Sequence, residues 1–374
     1  MRVSLNHRFL MFSGRIDDRN PERPEFIFPA SSLFFRFFGR EARLVVTNRN
    51  AYWNNTAGAI VDGVQKRFDL ENEGTTELVL LQEEEDGEHE LLFFKRMDSC
   101  HEMVLEELRL SEGAELLPPP KMPRRKIEIY GDSVSAGEVS EAVHCIGRPD
   151  PEHQGEFSNS WYSYGWILAR KLNASIHAIA QGGIALMDGT GWFLEPEQGD
   201  GVPVQKNVAL EQENVVLPQR NAALQQMGME TVWDKVHYHP DFGAPVPWDF
   251  ARYTPHLVIV AVGQNDSHPR DFMAEDSGSP QSMLWKGRYR GFLCNLREKY
   301  PEAHILCMTT LLEHSEAWDD AIEDVCMGLS DDHISHYRFK RNGMGTPGHL
   351  RIPEAEEMAE ELAAYIDELE ISGW

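Results

Sequence analysis

The chain reads as an α/β protein in which a parallel β-sheet flanked by helices follows an all-β sandwich unit. Three observations predict this. From Arg15 to about Leu116, short apolar runs are separated by turn residues, the texture of a β-sandwich. The run Leu116-Leu117-Pro118-Pro119-Pro120 then breaks the pattern, because proline forbids both helix interior and internal sheet pairing. After residue 125, apolar strands alternate with helical patterns, which implies a parallel sheet covered on both faces.

In the first unit the apolar runs are Phe34 to Phe38, Leu44 to Thr47, Leu78 to Leu81 and Leu91 to Phe94, with turns expected at Asp62-Gly63, Asn72-Glu73-Gly74 and Asp86-Gly87. In the second unit the spacing predicts strands at Ile127 to Tyr130, Ile176 to Ala180, Leu257 to Val262 and Ile305 to Thr309. Helices are predicted at Ser160 to Leu172, Met283 to Tyr300 and Glu354 to Leu369. The last has a start signal in Pro353 and an apolar stripe through Met358, Leu362, Tyr365, Ile366 and Leu369. Residues of about 189–247 lack clear periodicity and are expected to be an insertion near the site, with helical stretches only at Asn207 to Val216 and Ala222 to Val232. The expected domains are 1–120 and 121–374, since a 374-residue chain exceeds the ~250–300 residues that one core usually serves.

Composition narrows the function. Thirty-five basic and 61 acidic residues give a net charge of −26, which argues against a nucleic-acid partner, because phosphates must meet a basic surface. No apolar stretch approaches the ~20 residues of a membrane span, so no membrane partner is expected. Phe9-Leu10-Met11-Phe12 is too short for a signal-peptide core, and the expected location is cytoplasmic. Five cysteines without close pairing read as reduced thiols. His333-x-x-His336 and His237-x-His239 have no carboxylate or cysteine at a recognised zinc spacing, so neither metal nor cofactor is expected. A homo-oligomer is left open.

The residues with chemical promise begin at Gly131-Asp132-Ser133, which follows the apolar run Ile127 to Tyr130. A serine on the turn leaving a buried strand is where an α/β enzyme keeps a nucleophile, although it needs a base, being weak at its free pKa. The same tripeptide could serve only as a helix N-cap. Asn265-Asp266 follows another apolar run, and Gly348-His349 precedes the terminal amphipathic stretch.

Taken in the order Ser133, Gly183, Asn265, His349, these residues resemble the SGNH (GDSL-type) hydrolases. That resemblance implies Ser133 as nucleophile, His349 as general base, and an oxyanion hole made by the N–H groups of Ser133 and Gly183 with the Asn265 side-chain amide. Asp132 and Asp266 are expected to tie the loops. The family carries an aspartate three residues before its histidine, and here that place holds Thr346. A displaced acid at Asp331 or Asp332, or a main-chain carbonyl completing a Ser-His dyad, is expected instead.

Further segments are similar to carbohydrate esterase family two: Lys126 to Ser133, Ser13-Gly14-Arg15-Ile16-Asp17, Phe28-Pro29-Ala30-Ser31-Ser32, Arg36-Phe37-Phe38-Gly39, Asp62-Gly63, Lys95-Arg96, Leu116 to Pro120, Ala169 to Ala174, and Trp248-Asp249-Phe250 before Pro255. This resemblance implies a jelly-roll form for the first domain and an SGNH form for the second. It also implies an acetylated saccharide as substrate, deacetylated through an acetyl-enzyme as in acetyl xylan esterases, in which some members work with a dyad. Trp161 and Trp192, after the serine loop and the Gly183 loop, are expected to offer faces to a sugar. Two alternatives stand beside this reading: a glycan-binding protein on a degenerate hydrolase scaffold, and an SGNH esterase or thioesterase for other acyl groups.

Overall fold

A computed structural model describes residues 1–51, 53–195, 204–205 and 223–374. The first 117 residues form one ten-stranded antiparallel sheet. Its five longer strands are β1 (Ser32–Arg49), β2 (Thr56–Val61), β3 (Val64–Asp69), β4 (Thr75–Lys95) and β5 (Glu102–Leu110). Asp62-Gly63 makes the expected β2–β3 turn, both residues having positive φ as a tight hairpin demands. Elsewhere the short runs merge. Phe34 to Phe38 and Leu44 to Thr47 lie on the single strand β1, and Asp86-Gly87 is no turn, since Gly39 pairs with Gly87 inside the β1–β4 ladder. Register shifts between Gly39 and Glu41 and between Ala42 and Arg43 interrupt that ladder, and such bulges bend and twist a strand without ending it. Leu33, Phe35, Phe37, Leu44, Val46, Phe93 and Leu105 share the resulting core.

The second sheet is parallel and five-stranded. Its strands are β6 (Arg125–Gly131), β7 (Ala174–Ala180), β8 (Leu257–Ala261), β9 (His304–Cys307) and β10 (Ile334–His336), in the order β7-β6-β8-β9-β10. Helices α1 (Tyr164–Lys171), α2 (Pro280–Lys299), α3 (Ala317–Leu329) and α4 (Ile352–Asp367) cover it. Alternation along β8 sends Leu257, Ile259 and Ala261 into one core with α1 and α4, and Val258 and Val260 into another with α2 and α3. The predicted helix from Ser160 is a 3₁₀ turn, Ser160–Tyr162, and then α1, broken at Ser163, whose hydroxyl caps the Trp166 N–H. Both β10 and α3 escaped the sequence reading. Strand β10 is three residues with one apolar side chain, whereas α3 carries a readable stripe at Trp318, Ala321, Ile322, Val325 and Cys326.

In the insertion, Met229–Val232 is helical and Leu224–Gln226 is a 3₁₀ turn, within the second predicted stretch. The first stretch, Asn207 to Val216, lies outside the described residues. The two sheets are joined by a largely buried network. Arg15 donates to Glu128 (3.3 Å), Tyr130 Oη (2.9 Å) and the carbonyls of Trp233 (2.5 Å) and Lys235 (3.1 Å), and both charges of the pair are fully buried.

Candidate active site

Strand order decides where a site can form. The chain passes from β6 outward to β7, and later returns to the opposite side of β6 with β8, so the sheet has its switch point at β6. Crevices open beyond the carboxyl ends of strands at such a point. Ser133, Gly183 and Asn265 follow the ends of β6, β7 and β8, the three strands that meet there; Gly131 pairs with both Ala180 and Ala261.

Ser133 opens a single helical turn, Ser133–Ala136, capped by Asp132, whose Oδ1 accepts the Val134 N–H (3.0 Å). The other oxygen of Asp132 accepts Gln264 Nε2 (2.6 Å) and Asn265 Nδ2 (3.2 Å), fastening the β6 turn to the β8 turn. Burial raises the Asp132 carboxyl to about 6, against the pull of these donors. Asp266 does the same between β8 and β7: its carboxylate accepts Leu186 N (2.7 Å), Met187 N (3.2 Å) and Thr190 Oγ1 (3.2 Å), and burial raises it to about 7.

His349 is reached from the far end of the chain. Its Nδ1 lies 2.5 Å from Asp150 Oδ2, and its backbone N–H donates to Asp150 Oδ1 (2.8 Å). Arg351 Nη2 donates to that same oxygen (2.9 Å), and Arg351 Nε to the Ala142 carbonyl (3.1 Å), clamping the start of α4 to the loop beyond Ser133. Gly348 has a steric reason: a Cβ there would lie 2.6 Å from Asp150 Oδ1 and 2.8 Å from the Arg148 carbonyl. The opposite nitrogen, Nε2, faces the loop that follows Ser133, 3.6 Å from Glu138 Oε2. Burial would lower the His349 pKa, but the Asp150 hydrogen bond and the surrounding carboxylates outweigh it, and the pKa is raised. Asp150 shows the reciprocal effect: burial is outweighed by the His349 hydrogen bond and charge and by Arg351, and its carboxyl sits well below the usual range.

This corrects the expected orienting group. Asp331 and Asp332 precede β10 and therefore sit at the amino ends of the parallel strands, on the other side of the sheet from Ser133. Asp331 accepts Arg297 Nε (2.8 Å) and the His333 N–H (2.9 Å), and Asp332 is exposed beside it. Nor does a main-chain carbonyl take Nδ1, because a carboxylate is there. Asp150 was missed because it lies 199 residues from His349, in a loop with no periodic pattern. The available signals were a carboxylate held between Pro149 and Pro151, and a glycine directly before the histidine.

The Gly183 loop is supported from the antiparallel sheet. Asp98, on the β4–β5 connection, accepts the Gly182 N–H at 2.6 Å through Oδ2, and Ser99 Oγ donates to the Ala180 carbonyl (2.8 Å). Gly183 has φ of +69°, and a Cβ there would meet Phe193 Cε2 at 2.5 Å, so both conformation and space favour glycine. Asn265 Nδ2 also donates to the Ile184 carbonyl (3.1 Å), which fixes its amide against the same loop.

The two tryptophans differ. Trp192 is 48% exposed beside Gly183, its ring 4.5 Å from that of His268. Trp161 is half-buried and packs against Trp166 (4.9 Å) and Phe94 (6.0 Å), with the Arg170 guanidinium 3.8 Å over its ring. Among the described residues, one trio brings metal-ligating atoms within 4.8 Å of one another: Glu25, Glu102 and His237. It is not in the Ser133 crevice, and Arg49 Nη1 already faces both carboxylates, at 3.3 Å from Glu102 and 3.6 Å from Glu25. No helix among the described residues is long and apolar enough to cross a membrane.

Residues 12–120 match the family model for the carbohydrate esterase 2 N-terminal region. In sequence the chain is 26% identical over 368 residues to the cellulase/esterase CelE of Acetivibrio thermocellus, covering 96% of this chain and 39% of that protein. It is also 26% identical over 221 residues to the acetylxylan esterase / glucomannan deacetylase of Cellvibrio japonicus, covering 59% of this chain and 49% of that one. The chain thus spans less than half the length of these curated relatives. Among solved structures it is similar to a family two carbohydrate esterase from Clostridium thermocellum in complex with cellohexaose, with TM-score 0.71, 24% identity, and 96% and 98% of the two chains covered. A family two carbohydrate esterase from Cellvibrio japonicus gives TM-score 0.74 at 21% identity, with 98% and 96% covered. Residues 12–120 are thus similar to the N-terminal region of carbohydrate esterase family two, and the chain along nearly its whole length resembles the esterase CelE in sequence and family two carbohydrate esterases in fold.

Proposed function

We propose that this protein is a carboxylic ester hydrolase that removes O-acetyl groups from xylo-oligosaccharides or related saccharides through a Ser133–His349–Asp150 triad. The observation that carries the reading is the 2.5 Å contact of His349 Nδ1 with Asp150, with Nε2 turned toward the Ser133 loop. A carboxylate on Nδ1 fixes the tautomer in which Nε2 has a lone pair to accept the serine proton. Ser133 Oγ attacks the acetyl carbonyl carbon as its proton passes to Nε2. The tetrahedral intermediate collapses when that proton is delivered to the departing sugar oxygen, leaving an acetyl ester on Ser133. Water, deprotonated by the same nitrogen, then releases acetate and restores the serine hydroxyl.

The negative oxygen of each tetrahedral intermediate is assigned to the Ser133 and Gly183 N–H groups and to Asn265 Nδ2. Asn265 would give it one of the hydrogens now directed at Asp132 and Ile184. Trp192 is assigned to the sugar-binding face, on the strength of its exposure beside Gly183. The division at about residue 120 into a jelly-roll domain and an SGNH catalytic domain belongs to the same reading. It is supported by the antiparallel sheet ending at Leu117 and the parallel sheet beginning at Arg125. The test is acetate release from p-nitrophenyl acetate and from acetylated xylo-oligosaccharides. The proposal expects release from both, and an inert protein, or one that prefers longer p-nitrophenyl acyl esters, would replace it with a binding protein or an esterase for other acyl groups.

A further inference from the structure

One buried carboxyl beside the triad has no part in the steps above. Glu138 is 6% exposed and lies just beyond the Ser133 turn, its N–H donated to the Ser133 carbonyl (3.0 Å). Its Oε2 stands 3.6 Å from His349 Nε2, the same nitrogen that must serve Ser133. The imidazole is therefore faced by carboxyls on both nitrogens, Asp150 at Nδ1 and Glu138 at Nε2.

The surrounding charge is lopsided. Asp98, Asp132 and Asp150 all act on Glu138 or His349, and Arg351 is the guanidinium bound into the group. His153, beside Asp150, has its own pKa lowered, first by burial. Four ionised carboxyls against the Arg351 guanidinium and the Lys95 ammonium, which lies against Asp98, would still leave a negative excess in a largely buried cluster, and such groups hold a proton instead. Burial first, then the charge of Asp98, raises the Glu138 carboxyl to about 8, while His349 pulls it back. Groups so close titrate as a pair.

We infer that Glu138 is a positioning residue whose carboxylate pairs with His349 Nε2 as an ion pair, holding the ring toward the Ser133 turn and setting the pH at which that nitrogen is free to act as a base. This rests on the reading of His349 as the general base. Its sign follows from the charges: ionised Glu138 favours the imidazolium, so it moves the acid limb of activity upward. Replacing it with a neutral group of the same size must move the limb down.

The experiment follows His349 in the full chain by its imidazole nitrogen resonances against pH, alongside kcat/KM for p-nitrophenyl acetate, in the parent, Glu138→Gln and Glu138→Asp proteins. Glu138→Gln should lower both the His349 midpoint and the acid limb by about one pH unit or more, the scale for an opposite charge at this distance. Glu138→Asp, which keeps the charge, should stay above it. Glutamine fills the same space, so a midpoint unmoved in Glu138→Gln means a packing role and overturns the inference. The unmodified protein gives a second check if that variant does not fold: its His349 resonances should titrate in two coupled steps, and a single step also overturns it. The resonances report the pairing whether or not the protein turns over ester, so failure of the esterase reading would be seen separately, in the activity of Ser133→Ala and His349→Ala.

Discussion

Asp150→Asn is the substitution whose cost the site geometry defines most closely. The carboxylate receives three donors: His349 Nδ1 at 2.5 Å, the His349 N–H at 2.8 Å and Arg351 Nη2 at 2.9 Å. An amide has only one oxygen, so its NH₂ must face at least one of those donors. If it faces Nδ1, the imidazole proton is driven to Nε2 and the base is lost. If it faces the Arg351 side, two donors are opposed and the charge that stabilises the imidazolium is still gone. The same change in a serine protease triad lowers kcat by ~10⁴-fold, which at 1.36 kcal/mol per decade is about 5.4 kcal/mol of transition-state stabilisation. Loss of hydrogen bonding should cost the fold only about 1–3 kcal/mol.

The pH dependence has a definite sign. His349 titrates above its ordinary value, so the neutral base appears only as pH rises through that raised value, and activity rises with it. Removing the carboxylate should carry the acid limb to lower pH while the plateau falls. The assay is kcat for p-nitrophenyl acetate across pH, with a thermal melt of each protein. Asp331→Ala and Asp332→Ala, on the other side of the sheet, should match the parent. An Asp150→Asn protein that folds and keeps kcat within tenfold of the parent would refute the triad.

Asn265→Ala should lower kcat by ~10²–10³-fold with little change in KM, since its amide is assigned to charge that develops after the ground state; a pure KM effect would move Asn265 to substrate binding. Asp98→Ala removes the acceptor of the Gly182 N–H and should lower kcat by roughly tenfold, the worth of one hydrogen bond; unchanged kinetics would mean the loop needs no support from the antiparallel sheet. Arg15→Ala leaves Glu128 charged and buried and should cost about 3–5 kcal/mol in a denaturant titration; a loss near zero would mean the network does not couple the two sheets.

The parts of the molecule legible in its sequence are those written in local periodicity. Strands β6 to β9 announce themselves as apolar runs because both faces of the parallel sheet are buried, and α4 by its stripe. Ser133 and Asn265 are found because a strand exit is a local event. Long-range pairing leaves no such trace. The merging of two apolar runs into β1 depends on a ladder with β4 that carries its own bulges. Asp150 is a loop residue whose partner is brought by a different element, the start of α4. Likewise the Asp98 contact with Gly182 joins two sheets, and neither residue is unusual in its own segment. For the same reason no residue near His349 in sequence marks its acid, which lies 199 residues away. Arg351 and Gly348, which flank the histidine, are shaped around a carboxylate that arrives from the Ser133 side.

In the proposed reaction Ser133 carries the acetyl group between sugar and water. The most direct measurement mixes the protein with excess p-nitrophenyl acetate, quenches it before the steady state and maps the acetylated peptide by mass spectrometry, with Ser133→Ala in parallel. The expected result is a burst of p-nitrophenol matching one acetyl group per protein, located on Ser133, and neither burst nor turnover in the alanine protein. Acetylation at another residue, or turnover that survives in a folded Ser133→Ala protein, would contradict it.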